Sequence, residues 1–199
     1  NTALPRQSPF IDKRLASKPD VVCGTTCEPG NRSMSTFVLD VRSAAPHFPG
    51  IGRYLAGVAP ALAAQLTSGE HLVLLCTDPT QAGALLGDNI TRANVSTCVV
   101  SASPFSLAQQ WRVPAALHRL AAQDAPVIYH SPYYLMPYRT GVRTILTEHD
   151  LIPLLLPATV SARARLFFRV THGLALRSAN RIIAVSSTTA ADLTRICRV

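Results

Sequence analysis

The chain has 199 residues, 48% of them hydrophobic, with 19 Lys plus Arg against 11 Asp plus Glu and a formal charge of +8. That is enough apolar material for one substantial core, and no apolar run approaches the ~20 residues that cross a bilayer. Five scattered cysteines, Cys23, Cys27, Cys76, Cys98 and Cys197, exclude a zinc-ligand spacing and argue against a disulfide scaffold, so a reducing compartment is favoured.

Residues 1–35 are rich in Pro, Gly, Ser, Thr and charge and carry no sustained apolar period. They read as a loose leader that cannot offset the entropy of ordering by itself. The chain begins at Asn1 without the charged, apolar and small-residue order of a secretory signal, as expected of a fragment or a processed product.

From Thr36 the pattern is regular. Strands are expected at 36–42, 71–77, 95–100, 126–130, 143–147 and 181–185, with helices at about 52–65, 80–86, 105–122, 161–177 and 187–196. Ser187 or Thr188 is the expected cap of the last helix. Strand and helix in alternation, with short apolar strands covered on both faces, indicate a doubly wound α/β domain with a mainly parallel, Rossmann-like sheet over residues 36–199. Ligands of such sheets bind beyond the carboxyl ends of the strands, where strand order reverses.

Three segments fall at those ends. Pro49-Gly-Ile-Gly-Arg-Tyr54 leads into a helix, and its glycines and free amides suit a phosphate or carboxylate. A dinucleotide site there would require a further small residue where Leu55 stands and an acid after the second strand, which only Asp78 supplies. His130-Ser-Pro-Tyr-Tyr134 and Glu148-His-Asp-Leu-Ile-Pro153 place His130 and His149 at the ends of two strands, where imidazoles exchange protons near neutral pH. His149 and Asp150 are equally suited to anchoring a turn. Tyr133, Tyr134 and Tyr138 offer flat apolar faces with hydroxyl handles, or simply cover the sheet end.

The 161–177 helix puts Arg165, Arg169 and His172 on one face and Leu166, Val170 and Leu174 on another. It reads as a cationic outer helix packed on the sheet, with attachment to an anionic membrane as the alternative. The arginine excess suits anionic partners, though charge names only their sign.

Taken together, Val38-Leu-Asp-Val-Arg42, Gly50-Ile-Gly-Arg-Tyr54, Tyr129-His-Ser-Pro-Tyr133, Thr147-Glu-His-Asp-Leu-Ile-Pro153 and Asn180-Arg-Ile-Ile-Ala-Val-Ser-Ser187 resemble the N-terminal domain of family 4 glycosyltransferases, particularly the bacterial mannosyltransferase-like group. The resemblance runs from about Thr36 to the C-terminus. It implies one half of a GT-B fold, holding the acceptor, with a C-terminal donor domain outside these 199 residues or supplied by a separate chain. It implies sugar transfer with retention from a nucleotide-diphosphate sugar, which is a co-substrate, to a glycan or lipid-linked acceptor, with no other cofactor, no dedicated metal and no nucleic acid. Carried across, Gly50, Ile51 and Gly52 approach the donor diphosphate with their amides, Arg53 supports that charge, and His130 lies near the transferred sugar. His149 and Asp150 shape the acceptor side, with Tyr133 and Tyr134 beside them. Glu148 departs from the pattern, standing where the family has an apolar residue before His-Asp.

Alone, such a domain is expected to be inactive, in the cytoplasm or peripheral on the inner face of the membrane. A non-catalytic glycan- or membrane-binding module and a dinucleotide-dependent oxidoreductase are the competing expectations.

Overall fold

The valine-, leucine- and isoleucine-rich runs become a single sheet. The computed structural model describes residues 10–12, 35–44, 49–122 and 125–199. Six strands, β2 (Ser35–Asp40), β3 (Glu70–Cys76), β4 (Val95–Val99), β5 (Val127–Ser131), β6 (Arg143–Glu148) and β7 (Arg181–Ala184), pair in parallel. A short β1 (Phe10–Asp12) adds to β7 antiparallel, giving the order β1-β7-β6-β5-β2-β3-β4. The three residues of β1 and Ser35, the first of β2, fall within the stretch expected to be a loose leader; residues 1–9 and 13–34 lie outside the described residues.

Both faces of the sheet are covered. Consecutive residues such as Val38 and Leu39, or Leu72 through Cys76, are buried, which is why these strands read as unbroken apolar runs rather than as alternation. On one face, α1 (Pro49–Gln65) and α2 (Pro79–Leu86) pack Ile51, Leu55, Ala59 and Ala82 against Leu39, Leu72 and Leu74. On the other, α3 (Gln109–Ala121) packs Val113, Ala116 and Leu117 on Val38, Val73 and Tyr129. A third cluster joins Leu146 and Ile182 to Phe168, Ala175 and Leu176 of α5 (Ala162–Ser178) and to Leu193, in the π-helical turn (Leu193–Cys197) after α6 (Ser187–Asp192).

Local chemistry sets the helix boundaries. The Asp78 carboxylate accepts from the Thr80 amide at 2.8 Å, and Gln81 reaches back to complete a capping box at the start of α2. Ser161 accepts from the Ala164 amide at 3.2 Å to begin α5, and Ser186, one residue before the expected cap, accepts from the Thr189 amide at 3.1 Å to begin α6. The third helix starts at Gln109 rather than near Phe105, because Ser103 holds residues 103–106 in a turn by accepting from the Ser106 amide and hydroxyl. A four-residue helix, α4 (Ile152–Leu155), interrupts the apolar run at 151–156. Among the described residues no helix is long and apolar enough to cross a membrane.

Candidate functional site

Strand order reverses between β2 and β5: the chain adds β3 and β4 on one side of β2 and β6 and β7 beyond β5. At the carboxyl ends of β2, β5 and β6 lies a cleft of about 360 Å³, lined by Pro49, Gly50 and Ile51, by Tyr133 and Tyr134, and by Thr147, Glu148, His149 and Asp150, with Pro153 and Phe168 at its side.

The first wall is the start of α1. This helix begins at Pro49, three residues before the expected start, so Gly50, Ile51 and Gly52 form its first turn. Proline suits that position, and first-turn amides have no acceptor within the helix. A Cβ built on Gly50 or Gly52 meets nothing within 4 Å. The chain's own packing therefore does not require glycine at either position; the space they leave opens outward. Gly50 and Ile51 face the cleft, whereas Gly52 and Arg53 border a separate shallow groove with Thr80, Gln81 and Leu85. The substrate-binding residues read from the sequence are thus divided between two depressions that share the helix start.

The two histidines differ. His149 lines the cleft, and its Nε2 donates to the Pro132 carbonyl at 3.0 Å, which leaves Nδ1 as the acceptor of the neutral ring. Its own carbonyl accepts from the Thr189 hydroxyl at 3.0 Å, tying the loop to α6. His130 does not line the cleft. Its Nε2 hydrogen-bonds at 2.8 Å to the hydroxyl of Thr147, which does. Burial pushes the His130 ring down to about 4, against a weaker upward pull from Asp40, so it is neutral at physiological pH. Tyr54 of α1 stands edge-on to both rings, with centroids 6.4 Å from His130 and 5.3 Å from His149, and its hydroxyl meets the same Thr147 oxygen at 2.9 Å. Tyr54 and Thr147 lie within the sequence motifs, but no one-dimensional spacing signals that they bridge the two histidines.

Asp150 is exposed and uses one oxygen to accept from the Ile152 amide at 3.0 Å, bracing α4. Tyr133 and Tyr134 lie 4.5 Å apart at a tilt, and Phe168 and His172 of α5 extend the aromatic wall. Among the described residues, the cleft lining includes two carboxylates and one imidazole, and neither Lys nor Arg. Asp78, the only acid available to a dinucleotide ribose, is occupied as the cap of α2. Among the described residues no group of three or more His, Cys, Asp or Glu side chains converges as a metal site.

A comparison with curated proteins found no significant match. The model of Glycosyltransferase Family 4, however, matches residues 49–199, from the first residue of α1 to the last of the chain. The chain belongs to glycosyltransferase family 4. The family 4 match therefore takes in all three cleft walls.

The acid at Glu148, where the resemblance led to the expectation of an apolar residue, has a partner in the structure. Glu148 and His172 are both buried, and Glu148 Oε1 lies 3.2 Å from His172 Nε2. Neither atom has an aligned hydrogen bond, so the contact is ionic rather than directional. The expectation that His172 joins Arg165 and Arg169 on a solvated face is corrected: α5 turns Phe168, His172, Ala175 and Leu176 inward and leaves Leu166, Val170 and Leu174 outside. The reason is the buried acid behind the cleft, which no helical wheel displays.

Burial alone would lower the His172 ring, but contacts with Cys197 and Glu148 outweigh it and raise the ring to about 9. A raised histidine stabilises the fold fully below its unfolded value near 6.5 and loses that contribution as pH climbs through 9. The depressed His130 acts in the opposite sense, opposing the folded state as pH falls from about 6.5 towards 4. Urea unfolding of this family 4 domain is therefore expected to show a stability maximum near pH 6.5, with on the order of 3 kcal/mol lost on the alkaline side. The double substitution Glu148→Leu/His172→Leu should flatten that alkaline limb. An unchanged slope in the double variant would show that the pair is not its origin.

Proposed function

We propose that this family 4 domain is the acceptor-binding half of a retaining sugar transferase with GT-B architecture. The donor is a nucleotide-diphosphate sugar, and its binding surface belongs to a second domain or chain. The observation that carries the reading is the chemistry of the cleft. Its described residues combine first-turn amides, a pair of tyrosines, an imidazole with one acceptor nitrogen and two carboxylates, without a cationic side chain. Such a lining suits the hydroxyls and apolar ring faces of a saccharide; a diphosphate needs charge that it does not contain. The amides of Gly50–Gly52 and the neighbouring Arg53 are suited to meeting a departing phosphate at the rim.

In that arrangement the saccharide hydroxyl that will attack is held by His149 and Asp150 against the tyrosine wall. The positive charge developing on the transferred sugar lies near the exposed Asp150 carboxylate, and the negative charge of the leaving group lies near the helix start. His130 acts through Thr147, keeping that hydroxyl oriented from behind as a neutral hydrogen-bond partner. The leaving phosphate oxygen takes the acceptor proton, so neither a metal nor a strong protein base is required. A mannose-like sugar, a glycan or lipid-linked acceptor and a cytoplasmic setting complete the proposal.

Saturation-transfer NMR with a panel of glycans tests it. The chain is expected to bind hydroxyl-rich acceptors weakly and to transfer no sugar from nucleotide donors by itself. Gly50→Leu, whose Cβ meets nothing within 4 Å, should leave the thermal midpoint unchanged while lowering glycan affinity by about tenfold or more. Equal affinity in that variant, or turnover by the 199-residue chain alone, would overturn the assignment. Binding that persists without transfer when a donor domain is supplied would mark a glycan-binding module instead.

A further inference from the structure

The helix α5 is apolar on two opposite sides. Its inner side, Phe168, His172, Ala175 and Leu176, is buried in the third core cluster. Its outer side presents Leu166, Phe167, Val170 and Leu174 at 63, 56, 53 and 39% exposure. With Arg163 and Arg177 these residues follow a spacing of 3, 1, 3, 4 and 3 along the helix, which at 3.6 residues per turn keeps them on one stripe with an arginine at each end. Next to it, α4 and the residue after it expose Ile152, Leu155 and Leu156; the two helices are in contact, and Leu154, Pro157, Arg165 and Leu166 line one depression there.

Charge narrows what the stripe can meet. Between Asp150 and Asp192 the sequence holds Arg163, Arg165, Arg169, Arg177 and Arg181 and no acid. Each of the four arginines on α5 is exposed. A second copy docking through the same stripe would bring these cations face to face, and like charges across an interface are unfavourable. A sheet of anionic headgroups above acyl chains satisfies both the leucine and phenylalanine side chains and the arginines around them.

We propose that the outer face of α5, with α4 beside it, docks on an anionic lipid bilayer. α4 begins two residues after Asp150 at the cleft, so a domain seated in this way would hold its acceptor cleft close to the headgroup plane. The docking stands independently of the sugar-transfer reading, because lipid partition is measured without any donor or acceptor.

Co-sedimentation of the purified chain with vesicles decides it. Wild-type protein is expected to pellet with phosphatidylcholine vesicles containing about one third phosphatidylglycerol and to stay in the supernatant with phosphatidylcholine alone. Raising NaCl from about 0.1 to 0.5 M should weaken the binding. Leu166→Ser/Val170→Ser/Leu174→Ser and Arg163→Glu/Arg177→Glu change exposed positions only, and each should reduce partition about tenfold or more with an unchanged far-ultraviolet spectrum. Three results would overturn the proposal: failure of wild-type protein to prefer anionic vesicles, wild-type partition in both variants, or a dimer by light scattering that the serine variant converts to monomer, which would make the stripe a protein interface.

Discussion

Replacing Arg42 by alanine is expected to cost about 3–5 kcal/mol of folding stability, the scale for breaking a buried ion pair from one side. Arg42 and Asp40 are 3% and 4% exposed. The guanidinium donates to Asp40 through Nε at 2.9 Å and Nη2 at 2.6 Å, to the Ala102 carbonyl through Nη1 at 2.8 Å and to the Gln109 side-chain oxygen at 3.3 Å. The fully buried Tyr129 hydroxyl donates at 2.6 Å to Asp40 Oδ2, the same oxygen that accepts from Nη2. Burial works against the guanidinium charge, but Asp40 outweighs it and holds Arg42 firmly protonated. Removing the arginine strands a carboxylate at the end of β2, together with a carbonyl and an amide. A domain of this size has only about 5–15 kcal/mol in hand. Urea denaturation should show the midpoint collapsing for Arg42→Ala while Arg53→Ala, at an exposed position, stays within about 0.5 kcal/mol of the parent. Equal midpoints for the two variants would mean that the network does not form.

Sugar transfer, in a protein that joins this domain to a donor domain, is expected to fall about a hundredfold or more for His149→Ala. The ring lines the cleft, is fixed by the Pro132 carbonyl, and has one acceptor nitrogen left for a substrate hydroxyl. His130 should behave differently. With its ring near 4, it is already deprotonated throughout the range from about pH 5 to 9, so it contributes no inflection there. His130→Phe should lower the rate by releasing Thr147 while leaving the shape of the pH profile unchanged. A limb near pH 6.5 that vanished in His130→Phe would place a titrating, solvated imidazole at that position and contradict its burial.

The outline of the domain was legible because parallel strands buried on both faces leave an uninterrupted apolar record. Leu72 to Cys76 and Arg181 to Ala184 sit where periodicity and turn residues place them. Glycine and proline at 49–52 marked the start of α1 correctly as to place, but not that the helix already runs through them, since proline opens a helix as readily as it ends one. The site was legible only in part. Histidines after strands announce themselves, whereas the layer that each occupies depends on a neighbouring strand: Thr147 on β6 separates His130 from the cleft, and a strand pairing is invisible in one dimension. The orientation of α5 was obscured for a related reason. Its two faces are both apolar, and what turns His172 inward is Glu148, 24 residues earlier and adjacent only after folding.

The antiparallel addition of Phe10–Asp12 has a consequence for how the sheet meets its surroundings. A terminal strand displays a row of unsatisfied amides and carbonyls, an invitation to join another chain. Because Phe10 is in register with Ile183 and Asp12 with Arg181, β7 has that row filled by residues from near the beginning of the same molecule. Self-association by strand addition is thereby blocked along β7, and among the described strands of the parallel set it is β4, with Thr97 and Val99 turned to solvent, that is left as an outer margin.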